Sequence, residues 1–279
     1  MQKNIIDVAV VTLFHPDQKV LTNIKSYLPY VKELLVIDNS EMPSDLSLLQ
    51  REFSSITLLA SGTNLGISKA MNLAINYAKH KGYSWMLTMD QDSSFDSLEI
   101  EKFIRLFYLT VDKNLAIFVP LHNKKFLKEE EIYNQKECCV MTSANIININ
   151  KALTIGGFDE NLFIDEVDHE FCLRLKKAGY SIIQNHNCYL HHVLGTKHKE
   201  LNINLYSSHR LYYMIRNYLY VRNKHKKIAP NFFKKRDFYL FKFFIKQILY
   251  TKQKKKYIRM LFFGVKDYHR NYMGYRVKL

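Results

Sequence analysis

Four acidic positions and one histidine pair have the residue types and spacing to do chemistry. Asp90 and Asp92 flank a single residue in Met89-Asp90-Gln91-Asp92-Ser93. At the end of an apolar run this spacing puts two hard oxygen donors on one side of a loop, where Mg²⁺ or Mn²⁺ could bridge them to a diphosphate. The same triplet can equally be a solvated acidic turn. Asp38 closes another apolar run in Val36-Ile37-Asp38-Asn39-Ser40. Asp168 lies near the start of a segment whose apolar stripe is Val167, Phe171, Leu175 and Ala178; being off that stripe, it is free to face a cleft. An acid at a helix start also favours the dipole, by about 0.3–1 kcal/mol. Asp165 and Glu166 suit that lesser role better, with Asp165 placed to cap the helix. Glu170 and Arg174 form an i, i+4 pair. His191 and His192 are adjacent on an extended run, so they point to opposite faces, each as a metal ligand or as a structural imidazole.

These residues need elements that bring them together. Short apolar runs at 6–13, 34–37, 56–59, 85–89 and 115–119 read as strands, and a further strand is expected over 139–149. Helical periodicity appears over 66–80, with Ile67, Ala70, Met71, Ala74 and Ala78 in phase, and again over 98–109 and 165–178. Strands alternating with helices imply a doubly wound, mostly parallel sheet, whose ligands bind where strands end and loops begin. Asp38 and Asp90 occupy such positions.

Composition bounds the remaining possibilities. With 279 residues and 47% hydrophobic content the chain can bury a sizeable core. The net charge of +15 is uneven: beyond Tyr220 there are eighteen Lys and Arg against Asp237 and Asp267, a balance of +16, and the first 220 residues carry −1. Basic character therefore belongs to a tail and not to the region with the acids, which argues against nucleic acid as the partner of the catalytic part. Two units are expected: a catalytic domain over 1–220 and a basic aromatic helical tail over 221–279. No pair among Cys138, Cys139, Cys172 and Cys188 has the C-x-x-C spacing of a zinc or redox site, which fits a reducing, cytoplasmic setting. The first apolar run is too short for a signal-peptide core, and Lys234, Lys235, Lys242 and Lys246 interrupt the most apolar part of the tail, so a membrane span is not expected. From 231 to 250 the tail interleaves Phe232, Phe233, Phe238, Phe241, Phe244, Ile245, Ile248 and Leu249 with lysines, and Lys254-Lys255-Lys256 follows. Such a helix can lie on an anionic membrane, bind single-stranded nucleic acid, or pack on the core with its charges solvated. The absence of a recognisable nucleic-acid module favours the membrane.

Several motifs in order resemble those of inverting family 2 glycosyltransferases, especially the bacterial rhamnosyltransferase-like branch. They are Val10-Val11-Thr12, Val36-Ile37-Asp38-Asn39-Ser40, Asn64-Leu65-Gly66-Ile67, Met89-Asp90-Gln91-Asp92-Ser93, Gly156-Gly157-Phe158-Asp159-Glu160, Phe163-Ile164-Asp165, Val167-Asp168-His169-Glu170-Phe171-Cys172-Leu173-Arg174 and His192-Val193-Leu194-Gly195. They span about residues 5–220. The resemblance implies a GT-A type fold and transfer of a sugar from a nucleotide diphosphate donor to a hydroxyl of a lipid-linked or oligosaccharide acceptor, with Mg²⁺ or Mn²⁺ on the diphosphate. It assigns Thr12, Asp38, Asn64, Gly66, Lys69 and Asp90 to the nucleotide, although a lysine on a helix, like Lys69, is usually just solvated. Asp92, Asp90 and His192 go to the metal, Asp168 is the general base, and Ser143 and Glu170 lie toward the acceptor. The branch favours dTDP-rhamnose as donor, with UDP-galactofuranose or another UDP-sugar as competitor, in cell-surface polysaccharide synthesis at the inner face of the membrane. A non-catalytic basic adaptor is the other alternative. Two departures bear on donor and acceptor: Leu13-Phe14-His15 follows the first-strand Thr, and Ser143-Ala144 replaces Ser-Gly. The segment from Arg210 to Asn217 resembles a helix that follows the core in this branch, its arginines reaching a diphosphate or snorkelling from a packed helix.

Overall fold

A computed structural model describes residues 5–42, 44, 47, 51, 55–122, 134–136, 139–192, 197–198 and 203–276. The strands are β1 (Ile6–Leu13), β2 (Val31–Asp38), β3 (Ile56–Ala60), β4 (Trp85–Asp90), β5 (Ser93–Ser94), β6 (Leu115–His122), β7 (Asn134–Lys136), β8 (Asn145–Asn148), β9 (Ser181–His192), β10 (Lys197–His198) and β11 (Ile203–Asn204). The helices are α1 (Lys19–Tyr27), α2 (Ile67–His80), α3 (Ser97–Leu109), α4 (Ile149–Thr154), α5 (Val167–Lys177), α6 (Ser208–His225), α7 (Pro230–Tyr250) and α8 (Lys254–His269).

The main sheet runs β3-β2-β1-β4-β8-β6-β9-β5, with β7 on β9. Most of its paired length is parallel; β8 is antiparallel to β4 and β6. Helices cover both faces, which is why β1 is apolar almost throughout and not alternating. Val8 and Val10 face one core with Leu35 and Ile37, under α2 and α5; Ala9 and Val11 face the other with Leu34 and Val36, under α1 and α3. This mixed, mostly parallel sheet with a helical C-terminal region is the architecture the sequence implied.

Strand order fixes the site. β1 has β2 on one side and β4 on the other, with Leu13 opposite Asp38 and Thr12 opposite Asp90. Loops leaving β2 and β4 diverge from there, and a crevice opens at the carboxyl ends of the strands.

Three local expectations are corrected. The extended run expected over 139–149 is a strand only at Asn145–Asn148. Ala144 has φ +60°, its N–H donates to the Thr88 carbonyl, and the preceding loop folds against β4. Asp165 does not cap α5: it and Glu166 both sit at positive φ, and the side chain of Glu166, the residue at the cap position, makes no capping bond. Ala178 lies past the last turn of α5 and is exposed, whereas Val167, Phe171 and Leu175 are buried as expected.

Downstream of the sheet, α6 runs without interruption through residue 220. α8 crosses it where Gly264 removes a side chain: a Cβ there would lie 2.5 Å from Ile215 Cγ2 and 2.7 Å from the Tyr212 carbonyl oxygen. α7 buries Phe233, Leu240, Phe244 and Gln247 against the protein and leaves Phe238, Tyr239, Phe241, Ile245 and Leu249 exposed beside Lys234, Lys235, Lys242 and Lys246. The apolar residues of that helix thus divide between core and solvent. Among the described residues no helix is long and apolar enough to cross a membrane.

Candidate active site

A cavity of 1010 Å³ occupies the crevice, and Thr12, Asn64, Gly66, Asp90 and Asp92 all line it. Asp90 is the last residue of β4 and only partly exposed. Burial, followed by the charges of Asp92 and Asp168, pushes its carboxyl up to about 7 against the opposing influence of Arg210. Asp168, in the first turn of α5, is near enough for its charge to bear on Asp90, Asp165 and Arg210. Asp92, from the same loop, and Asp168, from α5, therefore both repel the Asp90 carboxylate, an arrangement that a cation would relieve. Thr12 Oγ1 is buried and has no hydrogen-bond partner among the described residues, leaving an open polar group in the cavity wall. Both observations fit a divalent cation and a polar ligand. Among the described residues no cluster of three or more His, Cys, Asp and Glu side chains could hold an ion alone, so diphosphate oxygens and water would complete the shell of a cation held by Asp90 and Asp92.

The acid loop is braced from several sides. Ser143 Oγ accepts from the Asp90 N–H at 3.2 Å and donates to Ser93 Oγ at 2.8 Å. Ser143 is thus fully buried behind the acid loop. Gln91, the middle residue of the triplet, accepts from Phe14 N–H at 2.8 Å and donates to the Phe14 carbonyl at 3.2 Å. Its own carbonyl accepts from Asn23 Nδ2 at 2.8 Å. Spacing alone showed no role for Gln91, because its partners are more than 60 residues away.

Asp38 lies at the β2 end and is buried. Its carboxylate accepts from Ser40 and Ser44 N–H at 2.9 and 2.7 Å, and these bonds overcome burial to hold it below the usual range. The neighbouring Asn39 lines the cavity and bridges to the Asn64–Gly66 turn through Leu65 N–H and the Gly66 carbonyl, each at 3.4 Å. That turn needs glycine: Gly66 has φ +77°, and a Cβ would meet Phe163 Cδ2 at 2.4 Å. Lys69 is exposed on α2 and is not among the cavity residues.

Glu170 is not among the cavity residues. Fully buried, it is bonded by Arg174 at 2.7 Å, by Lys224 at 2.7 Å and by His225 at 3.2 Å, which overcome burial and hold it down to about 2. This ties α5 to α6. His192 pairs through its backbone with Ser93, next to Asp92, but its side chain lies outside the described residues, as do Val193, Leu194 and Gly195. His191 faces Asp96 at 2.8 Å.

Arg210 and Arg216 of α6 do different work. Arg210 lines the cavity and donates to Asp165 at 3.1 Å, whereas Arg216 is fully buried and holds the C-terminal segment. Phe163 and Tyr213, which fall within segments noted in the sequence, also line the cavity, as do Tyr206, His209, Tyr275 and Arg276, which did not stand out. They reach it through the long-range return of α6 and the C-terminus, for which local spacing carries no signal.

Comparison with known proteins agrees with this geometry. Residues 18–153 match the family model described as glycosyl transferase family 2, a span that holds Asp38, Asn64, Gly66, Asp90 and Asp92 but neither Thr12 nor Asp168. The chain is 27% identical over 243 residues to the dTDP-rhamnosyl transferase RfbF of Shigella flexneri, covering 78% of this chain and 80% of that protein. Its fold is similar to the crystal structure of GalNAc-T7 with UDP, GalNAc and Mn²⁺, with a TM-score of 0.60 over 80% of this chain. The chain spans about half of that protein, 48%, and at 11% identity the likeness is one of fold.

Proposed function

We propose that this chain, a glycosyltransferase whose residues 18–153 match the family 2 model, moves rhamnose from dTDP-rhamnose to a hydroxyl of a lipid-linked saccharide, with inversion at the anomeric carbon. The observation that carries this reading is the acid pair Asp90 and Asp92 at the end of β4, with Asp168 on α5 near enough for its charge to help push Asp90 up to about 7, and with Thr12 Oγ1 unpartnered among the described residues. The donor named for the Shigella flexneri relative supports dTDP-rhamnose ahead of UDP-galactofuranose.

In this mechanism Thr12, Asn64 and Gly66 hold the nucleotide, and Asp38 shapes the adjoining loop through Ser40 and Ser44. Asp90 and Asp92 would hold a Mg²⁺ or Mn²⁺ ion, which would supply positive charge to the leaving diphosphate. Asp168 takes the proton of the acceptor hydroxyl while that oxygen attacks C1 on the side opposite the nucleotide. The sugar–nucleotide bond is already activated, so one displacement suffices and no covalent enzyme intermediate is needed. Arg210 sits where it offsets charge beside Asp90 and Asp168.

The tail supplies access to a lipid-linked acceptor. Phe238, Tyr239, Phe241, Ile245 and Leu249 present apolar surface alongside Lys234, Lys235, Lys242 and Lys246, a pattern suited to an anionic leaflet at about 1 kcal/mol per lysine near the surface. On this reading the enzyme works peripherally at the inner face of the cell membrane.

A screen of activated sugars by thermal shift with Mg²⁺ or Mn²⁺, followed by nucleotide release, tests the donor. Stabilisation and turnover with dTDP-rhamnose are expected. Turnover with UDP-galactofuranose alone would replace the donor, and no response to any nucleotide sugar would remove the reading. Co-sedimentation with phosphatidylglycerol vesicles, and not with phosphatidylcholine vesicles, is expected of the full chain; equal or absent binding would remove the membrane part.

A further inference from the structure

We propose that the C-terminal segment 271–276 is part of the substrate site, with Tyr275 the platform on which a sugar ring stacks. The proposal rests on the sugar-transfer reading of the same cavity. What the segment adds is a surface for the sugar itself, built from residues distant from every motif that marks the nucleotide and the acids.

Several hydrogen bonds fasten this segment to the rest of the protein. The Gly274 N–H donates to the Asn161 carbonyl at 2.8 Å. Arg216 donates to the carbonyls of Gly274 at 2.9 Å and Tyr272 at 3.3 Å. Arg216 is fully buried, and its guanidinium lies 5.1 and 5.0 Å from the Tyr212 and Tyr213 ring centres. Burying an arginine is expensive unless its donors are bonded, and here two of its bonds go to backbone carbonyls of the C-terminal segment. The Arg276 N–H donates to Tyr213 Oη at 3.1 Å, and its guanidinium bonds buried Asp267 at 2.6 Å.

Anchoring delivers one aromatic side chain to the cavity with much of its surface open. Tyr275 lines the same cavity as Asp90 and Asp92 and is 54% exposed. Its ring centre is 4.9 Å from that of Phe163, which packs against Tyr213 at 5.4 Å and against the nucleotide-side turn at Gly66. Tyr275 therefore has a rigid aromatic backing on one side and an open cavity on another. Rigid tyrosines of this kind offer contact area at little entropic cost, and their hydroxyl accommodates a polar partner. A sugar ring has a matching apolar C–H face edged by hydroxyls, and His209 and Arg276 line the wall where those hydroxyls would lie.

The stacked ring could belong to the donor's sugar or to the acceptor's, and two arms separate these sources. Full-length wild type, Tyr275→Ala and Tyr275→Phe are compared at matched melting temperature. The first arm measures calorimetric affinity for dTDP and for dTDP-rhamnose with Mn²⁺. The second measures octyl β-D-glucopyranoside binding by saturation-transfer NMR in the presence of dTDP. If the donor's sugar stacks, Tyr275→Ala weakens dTDP-rhamnose on the order of ten-fold, the scale of one lost aromatic stacking contact, and leaves dTDP unchanged. If the acceptor's sugar stacks, the loss falls on the glucoside instead. Tyr275→Phe retains binding in either case. Identical behaviour of Tyr275→Ala and wild type in both arms overturns the proposal, as does an equal loss for dTDP. A wild type that binds no nucleotide sugar contradicts the transfer reading, while loss of the glucoside signal in Tyr275→Ala would still support the sugar contact.

Discussion

Asp90→Asn should stabilise the metal-free protein at neutral pH while abolishing its response to metal and nucleotide. Burial, then Asp92 and Asp168, raise the Asp90 carboxyl from 3.8 to about 7. The folded state therefore holds this proton more tightly than the unfolded chain. Its stabilising contribution is complete below about pH 4 and is lost as pH rises through about 7. The interval from 3.8 to about 7 corresponds to about 4 kcal/mol, the ceiling on what an uncharged isostere can restore at pH 8. Relaxation of Asp92 and Asp168 lowers the return, so a gain of roughly 1–4 kcal/mol is expected there, shrinking toward zero at pH 4. Urea unfolding of both proteins in EDTA from pH 4 to pH 8 measures the difference directly. Wild type with Mn²⁺ and dTDP should recover the deficit, because the ion relieves the repulsion, and Asp90→Asn should not. A variant less stable than wild type by the same amount at every pH would refute the claim that the carboxylates repel one another across the cavity.

Other perturbations test separate parts of the structure. Gly66→Ala forces a positive φ on alanine, about 1–2 kcal/mol, and drives Cβ into Phe163, about 1–3 kcal/mol more. A melting temperature lower by on the order of 10 °C together with weakened dTDP binding is expected, and an unchanged melt would contradict the packing. Gly264→Ala pushes α8 away from Tyr212 and Ile215 and should destabilise by about 1–3 kcal/mol in urea titrations, an effect absent if the tail were detached from α6. Phe238→Ser with Phe241→Ser should lower binding to phosphatidylglycerol vesicles with little change in the melt, since both side chains are exposed. Equal binding would move the membrane contact elsewhere.

What could be read without coordinates followed from local periodicity. β1 over Ile6–Leu13 appears with its expected bounds because a strand buried on both faces is a continuous apolar run. The same holds within a residue for α2 and α3, whose buried stripes repeat every three to four positions. Asp90 and Asp92 stood out because a strand end followed by closely spaced acids is visible in a window of five residues. The loop before β8 was misjudged since its conformation depends on Ala144 reaching the Thr88 carbonyl, a tertiary bond that apolar composition does not reveal. Glu170 and Arg174 were legible as a pair but not as a buried one, because Lys224 and His225 arrive from a helix fifty residues later. Tyr275 and Arg276 share that difficulty: they join the cavity through bonds that distant residues, Asn161, Tyr213 and Arg216, make to segment 271–276.

The central claim is that Asp168 acts on the acceptor while Asp90 and Asp92 serve the donor. Rhamnose transfer and dTDP-rhamnose affinity measured on Asp168→Asn, in Mn²⁺, test it most directly. The account predicts donor affinity within about two-fold of wild type and transfer lower by roughly 10²–10⁴-fold, the range for loss of a general base. Wild-type turnover in Asp168→Asn would contradict it.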